Sequence, residues 1–415
     1  MNAPLEESLP RKDLQDLRNL SRAPVLSYLQ KQAQPLAPRD KIEKLAPARY
    51  PTLAAFSPAG LWKWISEYLS HRIGPRHRFQ DYTTSGSDQG IYRMQGDAEV
   101  IRIALAGDWG TGTDEAARVA ATIKAFKPHY AIHLGDVYYV GDDAEVDENF
   151  LGKKNPLNDY EPCRWPDGLQ GSFALNGNHE MFARGNGYFE RMLPALGPIA
   201  NGAASGQKAS FFCLENDFWR IIALDTGYNS IGLPLLEYIF QPDCALPPEL
   251  MHWLETVVQP QPDDPRGIVL LSHHQYYSQS DQWYPKPATQ LARFFAHPVL
   301  WFWGHEHRMA IYNEYGVENG IRAFGRCIGH GGMPVELPSE DPPPHPECVV
   351  EFADPRKYKD DEDLTIGYNG FAQLLLQGNR MRIQYVDLHG EVVFSEEWSV
   401  AKGILTRTMK TSMGN

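Results

Sequence analysis

Apolar residues follow two rhythms along this chain. Helical spacing comes first: Leu14, Leu17 and Leu20, then Val25, Leu26 and Leu29, broken at Pro24 and ended by Pro35 and Pro38. A firmer helix is expected over 57–73, with Ser57 as N-cap, Pro58 in the first turn, and a stripe of Leu61, Trp64, Ile65 and Tyr68 before Gly74. From residue 90 the rhythm changes to short, unbroken apolar runs of strand length, at 90–94, 100–106, 130–134, 172–176, 268–271 and 299–303. The runs 211–215 and 219–224 flank Asn216-Asp217, a hairpin signal. Strands return at 371–376, 381–387 and 392–395, with His389-Gly390 as a turn. Thr113 suits the N-cap of a helix with Asp114 and Glu115 in its positive first turn, and Pro247-Pro248 opens another carrying Leu250, Trp253, Leu254 and Val257. Strand, helix and strand between 100 and 134 form a βαβ unit, so the sheet is at least partly parallel.

This pattern divides the chain into a mostly helical N-terminal extension (1–95), an α/β domain (96–400) and a frayed tail (401–415). Residues 141–171, with Pro156, Pro162 and Pro166, read as a long loop with short helical pieces, and 338–363 as a polar insertion.

Five apolar runs end on residues that bind metals. They deliver Gly107-Asp108, Gly135-Asp136, Gly177-Asn178-His179, Ser272-His273-His274 and Gly304-His305-Glu306-His307. Ligands of open α/β sheets sit in the crevice at the carboxyl ends of the strands, so these distant residues are expected to converge. Asp136 is central, because Gly135 allows a sharp turn and one carboxylate can bridge two ions. Carboxylate, amide oxygen and imidazole suit manganese, iron and zinc. Six or seven such ligands exceed what one ion needs, which points to two ions about 3.5–4 Å apart, the spacing that clamps a phosphoryl group. Each motif alone is weak; their order, each closing a strand, carries the reading.

Composition narrows the alternatives. A net charge of −13 over 415 residues argues against a broad basic surface for nucleic acid, and the acidic runs 142–148 and 360–363 read as solvated surface. Five scattered cysteines without a CxxC pair argue against a disulfide framework and a structural zinc centre. No apolar run is long enough to span a bilayer, and residues 1–12 lack a signal-peptide core, so no membrane association and a cytoplasmic location are expected.

The ordered segments GDWG (107–110), GDVYY (135–139), GNHE (177–180), LLSH (270–273) and GHEH (304–307) resemble the calcineurin-like metallophosphoesterase superfamily, over roughly residues 100–335. The resemblance implies a four-layer α/β/β/α sandwich with mixed sheets. It also implies a hydrolase of small phosphate esters, with a metal-bridging hydroxide as nucleophile and monoesters as the foremost substrates. A phosphodiesterase of nucleotides or lipid head groups, or a catalytically silent scaffold, are the alternatives. Many members carry Asp-x-His in the first motif, where this chain has Gly110. Tyr139 fits the GDxxY pattern of the purple acid phosphatase branch, whose tyrosinate fills that role, with Tyr138 as the neighbouring competitor. Carried over, the first ion takes Asp108, Asp136, Tyr139 and His307, and the second takes Asp136, Asn178, His273 and His305. His179 contacts the phosphate and assists the leaving group. A phenol titrates near pH ~10, so a phenolate ligand calls for ferric iron at the first position, with Fe2+, Zn2+ or Mn2+ at the second.

Other residues stay open. His274 either reaches substrate or packs beside the site, and His330 reads rather as part of a glycine-rich turn. Glu180 and Glu306 are expected to support the site or face solvent. Trp165, Tyr228, Tyr276, Tyr277, Trp283 and Tyr284 either stack on a substrate ring or close a dry wall.

Overall fold

The structure is a computed structural model and describes residues 74–84, 88–96, 100–138, 140–154, 162–231, 242–337, 343–359 and 365–412. The helices expected before residue 74, Tyr139 and the acidic run 360–363 lie outside the described residues.

In chain order the strands are β1 (Ile91–Arg93), β2 (Val100–Ala106), β3 (Tyr130–His133), β4 (Gly171–Ala174), β5 (Gly197–Ala200) and β6 (Ala203–Ala204). Then come β7 (Phe212–Glu215), β8 (Trp219–Ala223), β9 (Gly267–Ser272), β10 (Val299–Trp303), β11 (Met309–Tyr315), β12 (Ala323–Ile328) and β13 (Val350–Ala353). A small ribbon of β14 (Lys357–Lys359) and β15 (Thr365–Gly367) precedes β16 (Gly370–Gln377), β17 (Arg380–Asp387), β18 (Val392–Ala401) and β19 (Ile404–Ser412). The helices are α1 (Asp114–Phe126), α2 (Asp143–Asn149), α3 (Asn178–Phe182), α4 (Pro248–Trp253) and α5 (Lys286–Leu291).

Two mixed sheets carry the fold. One runs β19-β18-β17-β16-β2-β3-β4-β5-β6 and the other β1-β7-β8-β9-β10-β12-β11-β13. β2, β3 and β4 are mutually parallel, as are β8, β9 and β10, so each sheet sends a set of carboxyl ends to one edge. Alternation along the strands explains the layers. On β2, Ile103 and Leu105 face the core shared with Leu271 and Phe302 of the other sheet, while Ala104 and Ala106 turn to Ala116, Val119, Ala120 and Ile123 of α1. Both faces of these central strands are therefore buried, which is why they read as unbroken apolar runs. The architecture is the expected four-layer α/β sandwich.

Local expectations held where a cap or turn specified them. Thr113 accepts a hydrogen bond from the amide of Ala116 at 3.2 Å and starts α1. The Asn216-Asp217 hairpin joins β7 and β8 in antiparallel register. Two readings are corrected. Residues 404–412 form β19, paired along β18, where the sequence reads as a tail. The turn between them has positive φ at Lys402 and Gly403, 52° and 75°, the geometry of a tight hairpin, and Leu405 is buried beneath it. The acidic run 142–148 is likewise more than solvated surface: Asp142 caps α2, and buried Glu145 accepts from the amides of Val140 and Gly141 at 2.8 and 2.9 Å.

The sheets are also tied by a buried ion pair. Arg326 on β12 donates to both carboxylate oxygens of Glu396 on β18, at 2.6 and 2.8 Å, and to the carbonyl oxygens of Tyr312 and Gly325. Both side chains are wholly buried. Arg326→Met leaves the buried Glu396 charge with only the Tyr385 hydroxyl at 3.0 Å and a looser contact to Arg407 at 3.4 Å, and should cost about 3 kcal/mol in chemical denaturation. The double variant Arg326→Met/Glu396→Leu should lose less than the single one; a larger loss would contradict this account of the pair.

Candidate metal centre

Carboxyl ends from both sheets meet at one place. β2 delivers Asp108, β3 delivers Asp136, and the turn after β4 delivers Asn178 and His179 at the start of α3. From the other sheet, β9 delivers His273, and β10 delivers His305 and His307. The approach is close: a Cβ on Gly107 would lie 2.9 Å from the Cα of Gly304, so the two sheets touch where the side chains of both residues are missing. Asp108, Asp136 and His305 have φ of 59°, 73° and 64°, a conformation that costs a non-glycine residue energy and tends to cluster at functional sites.

Asp108, Asp136 and His273 form a buried floor, while Asn178, His179, His305 and His307 are half-buried around the open side. Nε2 of His273 lies 3.2 Å from Asp136 Oδ2, 3.1 Å from Asn178 Oδ1 and 3.3 Å from His305 Nδ1. Its Nδ1 donates to the carbonyl oxygen of Leu134 at 2.9 Å, which places the proton there and aims the Nε2 lone pair into the site. Around Asp108 a second group assembles. Tyr138 Oη is 2.7 Å from Asp108 Oδ1 and 2.9 Å from His307 Nε2, and His307 Nε2 is 3.5 Å from Asp108 Oδ1. Asp136 belongs to both groups, because its Oδ2 is also 3.3 Å from Tyr138 Oη. His305 binds the two sides together by donating its amide to Asp108 Oδ2 at 2.8 Å.

These residues fit metal ions. Oxygen and nitrogen atoms spaced at about 3 Å suit neighbouring corners of a coordination sphere with bonds of about 2.0–2.2 Å. Electrostatics agree. Burial opposes charge on His273, yet Asp136 and Asp108 outweigh it and push the imidazole up to about 9. Burial equally opposes charge on Asp136, and His273 and His179 nevertheless hold it well below the usual carboxylate range. Two buried carboxylates thus create a place that retains positive charge. Asp108, Asp136 and His273 offer ligand atoms within 4.8 Å of one another, and so do His273, His274 and His305.

The segment GDVYY carries both candidate tyrosines. Tyr139 lies outside the described residues, and the phenol brought to Asp108 and His307 is that of Tyr138. Gly110 explains why no imidazole comes from the first motif. A Cβ there would fall 2.7 Å from Val137 Cγ2 and 3.0 Å from its Cα, so the second loop packs where a histidine would begin. The same contact lets the Tyr138 amide donate to the Gly110 carbonyl oxygen at 2.9 Å. Burial and the carboxylates of Asp108 and Asp136 push the Tyr138 phenol well up.

His179 stands slightly apart. Its amide donates to Asp136 Oδ1 at 3.0 Å, but its ring lies against Tyr138, with centroids 4.3 Å apart, and Nε2 is 3.8 Å from Asp136 Oδ2.

Several supports were not legible in advance. Glu180 is buried and accepts from the amides of Gly177, Val137 and Asp136 at 2.8, 2.8 and 3.2 Å, locking the Asp136 loop to the start of α3. Burial and the Asp136 charge raise its carboxyl to about 8. Asp225, just after β8, accepts from Ser210, Tyr228 and Asn176. Thr226 beside it holds both the amide and Nδ1 of His274, at 3.0 and 3.1 Å. His274 packs beside the site, its ring 4.6 Å from that of His305. His330 is buried with its Nε2 toward Gly370. Glu306 is buried and accepts from Ser278 at 2.7 Å. The aromatic residues of the loops mostly close a dry wall: Tyr276 and Tyr277 donate to the carbonyl oxygens of Ile321 and Ala323, and Trp165 packs against Trp109 and His133. All five cysteines are free thiols.

A mixed α/β sandwich with carboxylates, an amide and imidazoles converging from both sheets defines a metallophosphoesterase-type protein. Residues 101–309, half of the chain, match the calcineurin-like phosphoesterase family, and the chain belongs to it. No curated protein matches it in sequence. Among solved structures it is similar to GAP50, described as the anchor in the inner membrane complex of Plasmodium (16% identity, 74% of this chain, 91% of that one, TM-score 0.43). It is similar also to PhoD (12%, 77% and 73%, TM-score 0.45) and to a dimetal phosphatase from Danio rerio (11%, 74% and 98%, TM-score 0.35). Family membership supports metal-dependent phosphoester hydrolysis, although the family includes non-catalytic members. Among the described residues no helix is long and apolar enough to cross a membrane.

Proposed function

We propose that this protein is a binuclear metallophosphoesterase acting on small phosphate monoesters, with a tyrosine-bearing first site like that of purple acid phosphatases. The observation that carries this reading is Asp136, whose carboxylate reaches both donor groups, His273 on one side and Tyr138 on the other. Asp108, Asp136, His307 and a phenol would hold the first ion; Asp136, Asn178, His273 and His305 would hold the second. The ions would supply Lewis acidity toward phosphoryl oxygens and lower the pKa of water. The protein's own part is orientation and proton handling. Leu134 fixes the His273 tautomer, Glu180 fixes the Asp136 loop, and half-buried His179 meets the phosphate and protonates the departing oxygen. A silent scaffold is the weaker reading, because Asp108, Asp136, Asn178, His273, His305 and His307 all point into one site.

The test is elemental analysis of metal-supplemented protein together with a panel of mono- and diesters. Two ions per chain and a preference for monoesters are expected; one tightly held ion, or diesters as the better substrates, would overturn the corresponding part. Iron-loaded protein should be coloured by a phenolate-to-ferric band. The contacts of Tyr138 with Asp108 and His307 support it as that phenolate, so Tyr138→Phe should bleach the colour; bleaching by Tyr139→Phe alone would return the role to the neighbour that the GDxxY spacing selects.

A further inference from the structure

A second feature lies one residue beyond the metal-binding turn. A cavity of about 300 Å³ opens beside the start of β11. Its apolar wall includes Met309, Tyr312 and Val335, and its charged groups are Arg308, Glu336 and Asp354. None of the residues proposed as metal ligands lines it, yet it is joined to them closely. Arg308 follows His307 directly, and the amide of Glu336 donates to the His307 carbonyl oxygen at 2.8 Å. Arg308 also approaches Glu306, the residue between the two histidines, with Nε 3.7 Å from its carboxylate. A largely apolar hollow of this size with a few convergent polar groups is the usual form of a small-molecule site.

We propose that this cavity receives the alcohol portion of the ester, and that it selects for an uncharged, ring-bearing leaving group. The proposal rests on the phosphoesterase reading above. Charge decides the class of ligand. Arg308 is the one cation lining the cavity among the described residues, and its guanidinium is engaged by Glu336 and Glu306. Of the two carboxylates on the same walls, Glu336 is the partner of Arg308, and Asp354 accepts from the Arg356 guanidinium at 2.8 Å. The charges on these walls are thus already paired, so a polyanionic leaving group such as a nucleoside diphosphate would be desolvated there without a free cation to meet it. An uncharged ring meets Tyr312 and the apolar wall without that cost.

The test uses metal-loaded protein with 1-naphthyl phosphate and with acetyl phosphate, whose leaving group is too small to fill the cavity. Ala353 lines it from the edge strand β13, where a tryptophan is compatible with strand geometry. Ala353→Trp should lower the ratio of kcat/KM for naphthyl to acetyl phosphate about tenfold or more, chiefly through KM for the naphthyl ester. Glu336→Gln removes a lining charge and should raise kcat/KM for 4-carboxyphenyl phosphate relative to phenyl phosphate. Fluorescence titration with 1-naphthol reads the cavity without turnover, and Ala353→Trp should weaken that binding about tenfold. A uniform change across esters, or naphthol binding lost while the naphthyl-to-acetyl ratio stays constant, overturns the assignment. Absence of hydrolysis for every ester, with both ions bound, instead overturns the phosphoesterase reading itself.

Discussion

Asp136→Asn should release both metal ions and lower turnover by on the order of 10³-fold or more, the scale on which lost charge stabilisation shows in enzymes. The side chain is 1% exposed and sits at a strand end with φ of 73°. One oxygen accepts the His179 amide and the other faces both His273 Nε2 and Tyr138 Oη. Asparagine keeps the shape but loses the charge, and its amide nitrogen cannot donate electrons to a cation. The two proposed sites should therefore fail together, whereas Asn178→Ala should weaken only the second. Metal content by elemental analysis and the circular dichroism of the metal-free protein separate this from unfolding. Retention of two ions and full activity in Asp136→Asn would refute the shared-carboxylate account.

His179→Ala should behave differently. Both ions should stay, and turnover should fall by about 10²–10⁴, the usual scale for a lost general acid or base. The alanine variant keeps the backbone amide that donates to Asp136. It loses only an imidazole that stands 3.8 Å from the carboxylate, farther than the contacts described within the two donor groups, and that packs tilted against the Tyr138 ring. Loss should be smallest for esters whose alcohols leave without protonation, so the ratio of activities on 4-nitrophenyl and alkyl phosphates should rise. Loss of one ion in this variant would make His179 a ligand instead.

Tyr138 shows where sequence spacing stops. Counting from Asp136 in GDVYY selects the second tyrosine by resemblance, but a loop's side-chain directions depend on what packs against it. Here Gly110 leaves room for Val137, and that contact accompanies the turn of Tyr138 toward Asp108. The supporting residues were hidden for a related reason. Glu180 follows Asn178 by two positions and looks like a surface carboxylate at a helix start, while its partners, the amides of Asp136 and Val137, lie more than forty residues earlier. Asp225 and Thr226 close a strand with no glycine before them, unlike Asp108 and Asp136, so nothing local marks their hold on Asn176 and His274.

What the sequence determined by itself was the set of strand ends. Central parallel strands are buried on both faces, so they must be apolar throughout, and a glycine followed by Asp, Asn or His stands out sharply against that background. The run 100–134, the hairpin at Asn216-Asp217 and the residues Asp108, Asp136, Asn178, His273, His305 and His307 were all legible for this reason. What only the tertiary structure decided was how those ends are shared. Asp136 joins two donor groups, His273 is oriented from Leu134 on the opposite sheet, and a cavity forms where β11 and β13 meet the turn after β12. Each depends on distances between residues remote in the chain, set by the close approach of Gly107 and Gly304 and by the packing of two twisted sheets, and no local pattern of residues encodes such a distance.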